Sequence, residues 1–163
     1  MKKIFLVAVI GLFFSCNTAA QKSQKEVTQK QETYKVTKTE AEWKKVLSPE
    51  AFYVLRQAGT ERSFTSPLNK NYSKGTYHCA GCNTPLFKSD HKFDSGTGWP
   101  SFDREIEGNV AFSTDYNIGY ARTEEHCATC GGHLGHVFDD GPRKTTGKRH
   151  CINGVALKFV PEK

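Results

Sequence analysis

Cys127-Ala128-Thr129-Cys130-Gly131-Gly132, read with its counterpart Cys79-Ala80-Gly81-Cys82, decides how the chain can be organised. Each stretch is a tight turn that offers two thiols, and a Gly in or just after the turn relieves the backbone. Zinc takes four thiolates at about 2.3 Å in a tetrahedron, and two such turns complete the set. Between Cys82 and Cys127 lie 44 residues, more than the usual loop of a zinc ribbon. A metal held here would clamp two distant segments, and four Cys ligands would leave no open position for catalysis. Two other readings stand beside it. The pairs can close as disulfides, or each can be a redox pair, although neither lies in a βαβ pattern.

Around these turns the pattern is that of strands. From Gly75 onward, short aromatic and β-branched runs alternate with Gly, Pro, Asn and Asp. Thr76 to Cys79, Val110 to Phe112 and Gly154 to Val160 are the strand candidates. Eleven Phe, six Tyr, two Trp and 14 Gly agree with a strand-and-turn protein. Helices precede the strands. Thr39 and Glu42 have capping-box spacing ahead of Trp43, Val46 and Leu47. Ser48-Pro49-Glu50 opens a second helix through Phe52, Val54 and Leu55, which Gly59 ends. The class is a mainly β, α+β domain over residues 36–163.

What precedes the domain reads as targeting. Lys2 and Lys3 lead into an apolar run of eleven residues, Ile4 to Phe14, followed by Ser15-Cys16. The run is too short to cross a ~30 Å hydrocarbon core as a helix, so residues 1–15 read as a signal peptide. Ser15-Cys16 resembles a bacterial lipoprotein signal, with Cys16 lipidated. Cleavage after Ala20 is the alternative. Either places the protein outside the cytoplasm, as a periplasm-facing lipoprotein of the bacterial cell envelope in the first case and as a soluble secreted or periplasmic protein in the second. Residues 16–35, rich in Gln, Lys, Thr and Glu, read as a flexible linker. The formal charge is +6, yet residues 1–35 carry six Lys and two Glu, which leaves +2 on the rest. The domain has no basic field, which argues against a nucleic-acid partner.

With Cys16 at the lipid site and four cysteines in the turns, Cys151 is left. It lies in Arg149-His150-Cys151-Ile152-Asn153-Gly154-Val155-Ala156-Leu157-Lys158-Phe159. Val155, Leu157 and Phe159 alternate as a half-buried strand. The same alternation puts Arg149, Cys151 and Asn153 on one face if Gly154 adds no bulge. A guanidinium there stabilises a thiolate, the form that acts as nucleophile. A buried inert Cys fits the segment equally well. Three other stretches bear on the choice. Ser95-Gly96-Thr97-Gly98-Trp99-Pro100 is a constrained loop whose Trp99 is either a core anchor or a pocket wall. His133-Leu134-Gly135-His136 supplies two imidazoles without the carboxylate motif of a zinc hydrolase, and reads as polar site residues. Asp139-Asp140-Gly141-Pro142 is a turn with two acids.

Taken in order, CAGC, SGTGWPSF, CATCGGHLGHVFDDGP and RHCINGVALKF resemble the B-type methionine sulfoxide reductases across residues 36–163. The resemblance implies two antiparallel β-sheets forming a partly open barrel, short N-terminal helices and one structural zinc on Cys79, Cys82, Cys127 and Cys130. It implies that Cys151 attacks the sulfoxide sulfur of methionine R-sulfoxide and becomes a sulfenic acid, with Trp99 against the S-methyl group. His133, His136, Asp140, Arg149 and Asn153 match the family's polar site positions. On this reading His133 or His136 supplies a proton, Asp140 orients an imidazole or a water, Arg149 lowers the thiol pKa and Asn153 positions substrate or water. Many members carry a resolving Cys where this chain has Thr97. An external thiol reductant, of thioredoxin-like kind, is therefore expected to regenerate Cys151. The expected substrates are oxidised proteins and peptides, and the expected state is a monomer.

Overall fold

A computed structural model describes residues 34–163. The expected signal segment, Cys16 and the linker up to residue 33 lie outside the described residues. Helix α1, Glu40–Val46, begins with the expected capping box. Thr39 Oγ1 accepts from the Glu42 N–H at 3.3 Å, and the Glu42 carboxylate accepts from the Thr39 N–H at 2.8 Å. Trp43 and Leu47 are buried at i, i+4 spacing, whereas Val46 is 58% exposed and does not join the core. Helix α2, Pro49–Gln57, starts at Ser48, whose Oγ accepts from the Ala51 N–H, with Pro49 at its first turn. Its left-handed C-cap is Ala58 (φ 52°), not Gly59. At Gly59 a Cβ would lie 2.3 Å from the exposed Tyr53 ring, which would have to swing aside. No helix among the described residues is long and apolar enough to cross a membrane.

Nine strands follow: β1 Gly75–Cys79, β2 Pro85–Lys88, β3 Lys92–Phe93, β4 Ser101–Phe102, β5 Val110–Asp115, β6 Arg122–Cys127, β7 His133–Phe138, β8 Arg149–Ile152 and β9 Leu157–Pro161. They form two antiparallel sheets, a three-stranded one in the order β2-β1-β9 and a six-stranded one in the order β3-β4-β8-β7-β6-β5. Neither order closes on itself, so the fold is two open sheets rather than a closed barrel. Aromatic rings join them. Phe102 of β4 stacks on Phe87 of β2 with centroids 4.5 Å apart and meets Tyr77 of β1 edge-on at 5.0 Å. All three are fully buried, and each contributes about 1.5–3 kcal/mol through apolar area removed from water.

The segment after Cys151 differs from the single strand expected over Gly154 to Val160. Residues Gly154–Ala156 form a 3-10 turn, and only from Leu157 does the chain extend again. The break lets β8 belong to the six-stranded sheet and β9 to the three-stranded one. Cys151 therefore sits one turn before the crossing between sheets.

Candidate active site

The two CxxC turns meet as a pair and share one geometry. In each, the N–H four residues on (Asn83, Gly131) donates back to the carbonyl of the first Cys at 2.8 Å. Cys79 ends β1 and Cys127 ends β6, so the turns join the two sheets. All four sulfurs lie within 4.8 Å of one another, with Cys79 and Cys130 3.7 Å apart and Cys82 and Cys127 3.5 Å apart. A tetrahedron of 2.3 Å metal–sulfur bonds has edges of about 3.8 Å, so the quartet fits a tetrahedral metal. Hydrogen bonding within it, first from Cys127, pushes the Cys79 thiol up and pulls Cys82 down. Four thiols this close cannot all ionise without a cation among them. None of the four lines the cavity that holds Cys151.

That cavity, about 120 Å³, is walled by Trp99, His136, Phe138, Cys151 and Asn153, with Thr60 and Arg122 at its side. Sheet register builds it. Cys151 pairs with Ser101 on β4 and with His136 on β7, and His136 pairs with Glu124 on β6. Directly opposed residues share a face with Cβ atoms about 4.5–5.5 Å apart, so these side chains form one row. Gly135 lets β8 come this close, since a Cβ there would meet the Cys151 carbonyl oxygen at 2.0 Å. His133 joins the same face through a bulge. Glu125 pairs with Gly135 but His126 pairs with His133, which leaves Leu134 as the extra residue. The two imidazoles stand edge to face at 5.4 Å. His133 lines an adjoining cavity of about 230 Å³ that shares Thr60, Arg122 and His136 with the first.

Each imidazole is held by a carboxylate that no local motif announces. His136 Nε2 donates to Asp115 Oδ2 at 2.7 Å, and Arg122 donates to the same oxygen at 2.5 Å. His133 Nδ1 donates to Glu124 Oε1 at 2.6 Å. Asp115 is held down at about 2 by the Asn117 N–H, then by His136 and Arg122. Burial lowers His136, and the charge on Arg122 and the neighbouring His133 add to this against the opposing pull of Asp115. His136 is therefore a neutral imidazole at neutral pH.

Asp140 touches neither imidazole. It takes Arg149 in a two-point grip, Nε to Oδ1 at 2.8 Å and Nη2 to Oδ2 at 2.9 Å, while the guanidinium lies 4.4 Å over the Phe138 ring. Arg149 does favour the Cys151 thiolate, as the sequence suggests. Burial acts more strongly, and the Cys151 thiol is raised overall; Thr97 and Arg149 pull it back, and Glu125 adds to the rise.

Asn153 lies just past the end of β8 and walls the same cavity as Cys151. Its Nδ2 donates to the Leu134 carbonyl and its Oδ1 accepts from the Glu61 N–H, both at 2.9 Å. Glu61, 3% exposed, is a further residue that sequence reading misses. Its carboxylate accepts the N–H groups of Gly154 at 2.6 Å and Val155 at 2.9 Å. Its own carbonyl accepts from the Trp99 indole N–H at 3.2 Å. One residue thus ties the wall Trp99 to the turn after Cys151.

Known proteins resemble the chain over most of its length. A family model described as the SelR domain matches residues 47–161. Peptide methionine sulfoxide reductase MsrB of Leptospira interrogans (serogroup Icterohaemorrhagiae serovar Lai, strain 56601) is 54% identical over 130 residues, 79% of this chain and 98% of the relative. The protein of that name from Agrobacterium fabrum (strain C58) is 52% identical over 128 residues, covering 78% of this chain and 94% of its own. Peptide methionine sulfoxide reductase B1, chloroplastic, of Arabidopsis thaliana is 54% identical over 122 residues, 74% and 60% of the two chains. The chain belongs to the SelR-domain family of methionine sulfoxide reductases, and is an oxidoreductase acting on peptide methionine sulfoxide.

Proposed function

We propose that the chain reduces methionine R-sulfoxide in proteins and peptides through a Cys151 sulfenic acid, and that it does so in the bacterial cell envelope. The observation that carries the mechanism is the direct opposition of Cys151 and His136 across β7 and β8 in a cavity walled by Trp99. Burial raises the thiol and lowers the imidazole, so besides the Nε2–H held by Asp115 the resting pair has one exchangeable proton, on sulfur. Moving it to His136 gives thiolate and imidazolium without changing the proton count. The thiolate attacks the sulfoxide sulfur while the imidazolium protonates the oxygen, which makes the oxygen transferable. The protonated oxygen then passes to the Cys151 sulfur as the new sulfur–sulfur bond breaks, so Cys151 becomes a sulfenic acid, the methionine sulfur gains two electrons and His136 is left neutral. His133 and Glu124 support the acid from the adjoining cavity, Arg149 steadies the thiolate, and Trp99 packs on the S-methyl group and selects the epimer.

Cys151 is the one described cysteine outside the quartet, and Thr97 stands beside it. Regeneration therefore falls to an external reductant of thioredoxin-like kind: two thiols become a disulfide, and the oxygen leaves as water. The quartet would hold a structural zinc, which supplies rigidity between the sheets and no step of the reaction. Residues 1–15 serve as signal peptide and Cys16 as lipid anchor on the linker, with the enzyme a monomer. The test is turnover of peptides carrying R- or S-methionine sulfoxide. The R epimer should be consumed and the S epimer left. Cys151→Ser should abolish turnover with metal content unchanged; turnover retained in Cys151→Ser would refute the proposal.

A further inference from the structure

Cys151 is touched from the β4 side as well. Thr97 Oγ1 lies 3.8 Å from Cys151 Sγ. Behind it, Ser95 Oγ is 2.8 Å from Thr97 Oγ1 and 2.7 Å from Ser101 Oγ. Ser101 Oγ is 3.1 Å from the Trp99 carbonyl oxygen. Three hydroxyls thus run in file between a thiol and a carbonyl, and Ser101 at the far end is fully buried.

Each hydroxyl has one proton to donate and lone pairs to accept, so the file has two consistent directions. In the first, Ser101 donates to the Trp99 carbonyl, Ser95 to Ser101, Thr97 to Ser95, and the Cys151 S–H to Thr97. In the second, every proton is turned round. Thr97 donates to the Cys151 sulfur, Ser95 to Thr97 and Ser101 to Ser95, and the Trp99 carbonyl gives up its donor. The first direction suits a thiol and the second suits a thiolate. A hydrogen bond to an ionised acceptor is roughly twice as strong as a neutral one, so ionisation of Cys151 favours the turn. We propose that Thr97, Ser95 and Ser101 are a reversible hydroxyl relay that swings toward Cys151 as its thiol ionises, which makes Thr97 a catalytic residue.

The relay exchanges no proton. The thiol proton leaves into the cavity, and the hydroxyls rotate about their C–O bonds. Other charged or titratable groups face Cys151 from elsewhere: Arg149, tied to Asp140, on its own strand, His136 from β7, Arg122 from β6 across the cavity, and Glu125 from β6 beneath the sheet. Toward β4 the polar side chain in contact with the Cys151 sulfur is Thr97, so the relay is what meets the thiolate there. This inference rests on Cys151 being the nucleophile, and its test reads ionisation rather than turnover.

The experiment measures the rate of Cys151 alkylation by iodoacetamide against pH in the full, metal-loaded chain, with the modified residue located by mass spectrometry. Thr97→Val should raise the midpoint by about one pH unit, seen as roughly tenfold slower alkylation below it. Thr97→Ser should restore the original midpoint. Ser95→Ala, which breaks the file but leaves Thr97 in place, should raise it by less than Thr97→Val. An unchanged midpoint in Thr97→Val, or in Ser95→Ala should the valine variant not fold, overturns the relay. A shifted midpoint together with turnover retained in Cys151→Ser would keep the relay and remove the nucleophile.

Discussion

The four cysteines of the CxxC turns and the solitary Cys151 share one side chain and diverge through their surroundings. Cys79 and Cys127 are fully buried at strand ends, and the quartet's sulfurs face one another. Cys151 sits mid-strand, half-buried, facing an imidazole, a hydroxyl and a cavity. In the quartet, thiolate charge would be met by a cation that fills every coordination position. At Cys151 it is met by hydrogen bonds and a guanidinium, which leave the sulfur open to a substrate. Closed coordination makes a thiol structural, and an open, partly compensated one is free to react.

Substitution on the closed side should have the largest effect on the fold. Cys127→Ser removes one of four ligands from the only contact of this kind between β1 and β6 among the described residues. The metal should be lost and the thermal midpoint lowered by about 10 °C or more, read by metal analysis and calorimetry. A serine variant that keeps both metal and melting temperature would mean that the quartet is not a clamp.

On the open side, His136→Ala should lower kcat about 10²- to 10³-fold with the fold intact, since it removes the proton partner opposite Cys151. His133→Ala, one cavity away, should cost less, and the ratio of the two tells which imidazole serves the oxygen. The same pair sets the pH dependence. His136 is depressed below the ordinary 6.5, so its uptake of a second proton, which stops the reaction, comes only below that pH. Cys151 is raised above the ordinary 9.0, so loss of the pair's exchangeable proton comes only above that. The kcat/KM profile should be a bell with a wide flat top, its acid limb below 6.5 and its alkaline limb above 9.0. A limb falling inside that window would contradict the pairing. The smallest effect is expected at Asp140, whose side chain is 63% exposed. Asp140→Asn should cost less than about 1 kcal/mol of stability and reduce turnover only a few-fold, because Phe138 still carries Arg149.

The parts of this arrangement that were legible in the sequence are local ones. Thr39 with Glu42, Ser48 with Pro49, and the paired Cys turns each act within four residues, so spacing alone exposes them. The row through Cys151 was only half legible. Arg149 and Cys151 alternate on one strand, but His133 and His136, three apart, share a face only because Leu134 bulges out of β7. Asp115, Glu124 and Arg122 reach the imidazoles through the register of three strands, and Glu61 reaches Gly154 across 93 residues. Nothing near those carboxylates marks them. The break at Asn153 was hidden for the opposite reason: Val155, Leu157 and Phe159 keep strand-like alternation through a 3-10 turn.

The contrast between closed and open cysteines is tested most directly by one turnover without reductant. The protein would be mixed with an equimolar peptide containing methionine R-sulfoxide and analysed intact and after digestion. One methionine formed per chain, with one oxygen added on Cys151 and the quartet unmodified, is the expected result. A disulfide between Cys151 and any cysteine of the turns, or methionine formed with Cys151 unchanged, would contradict it.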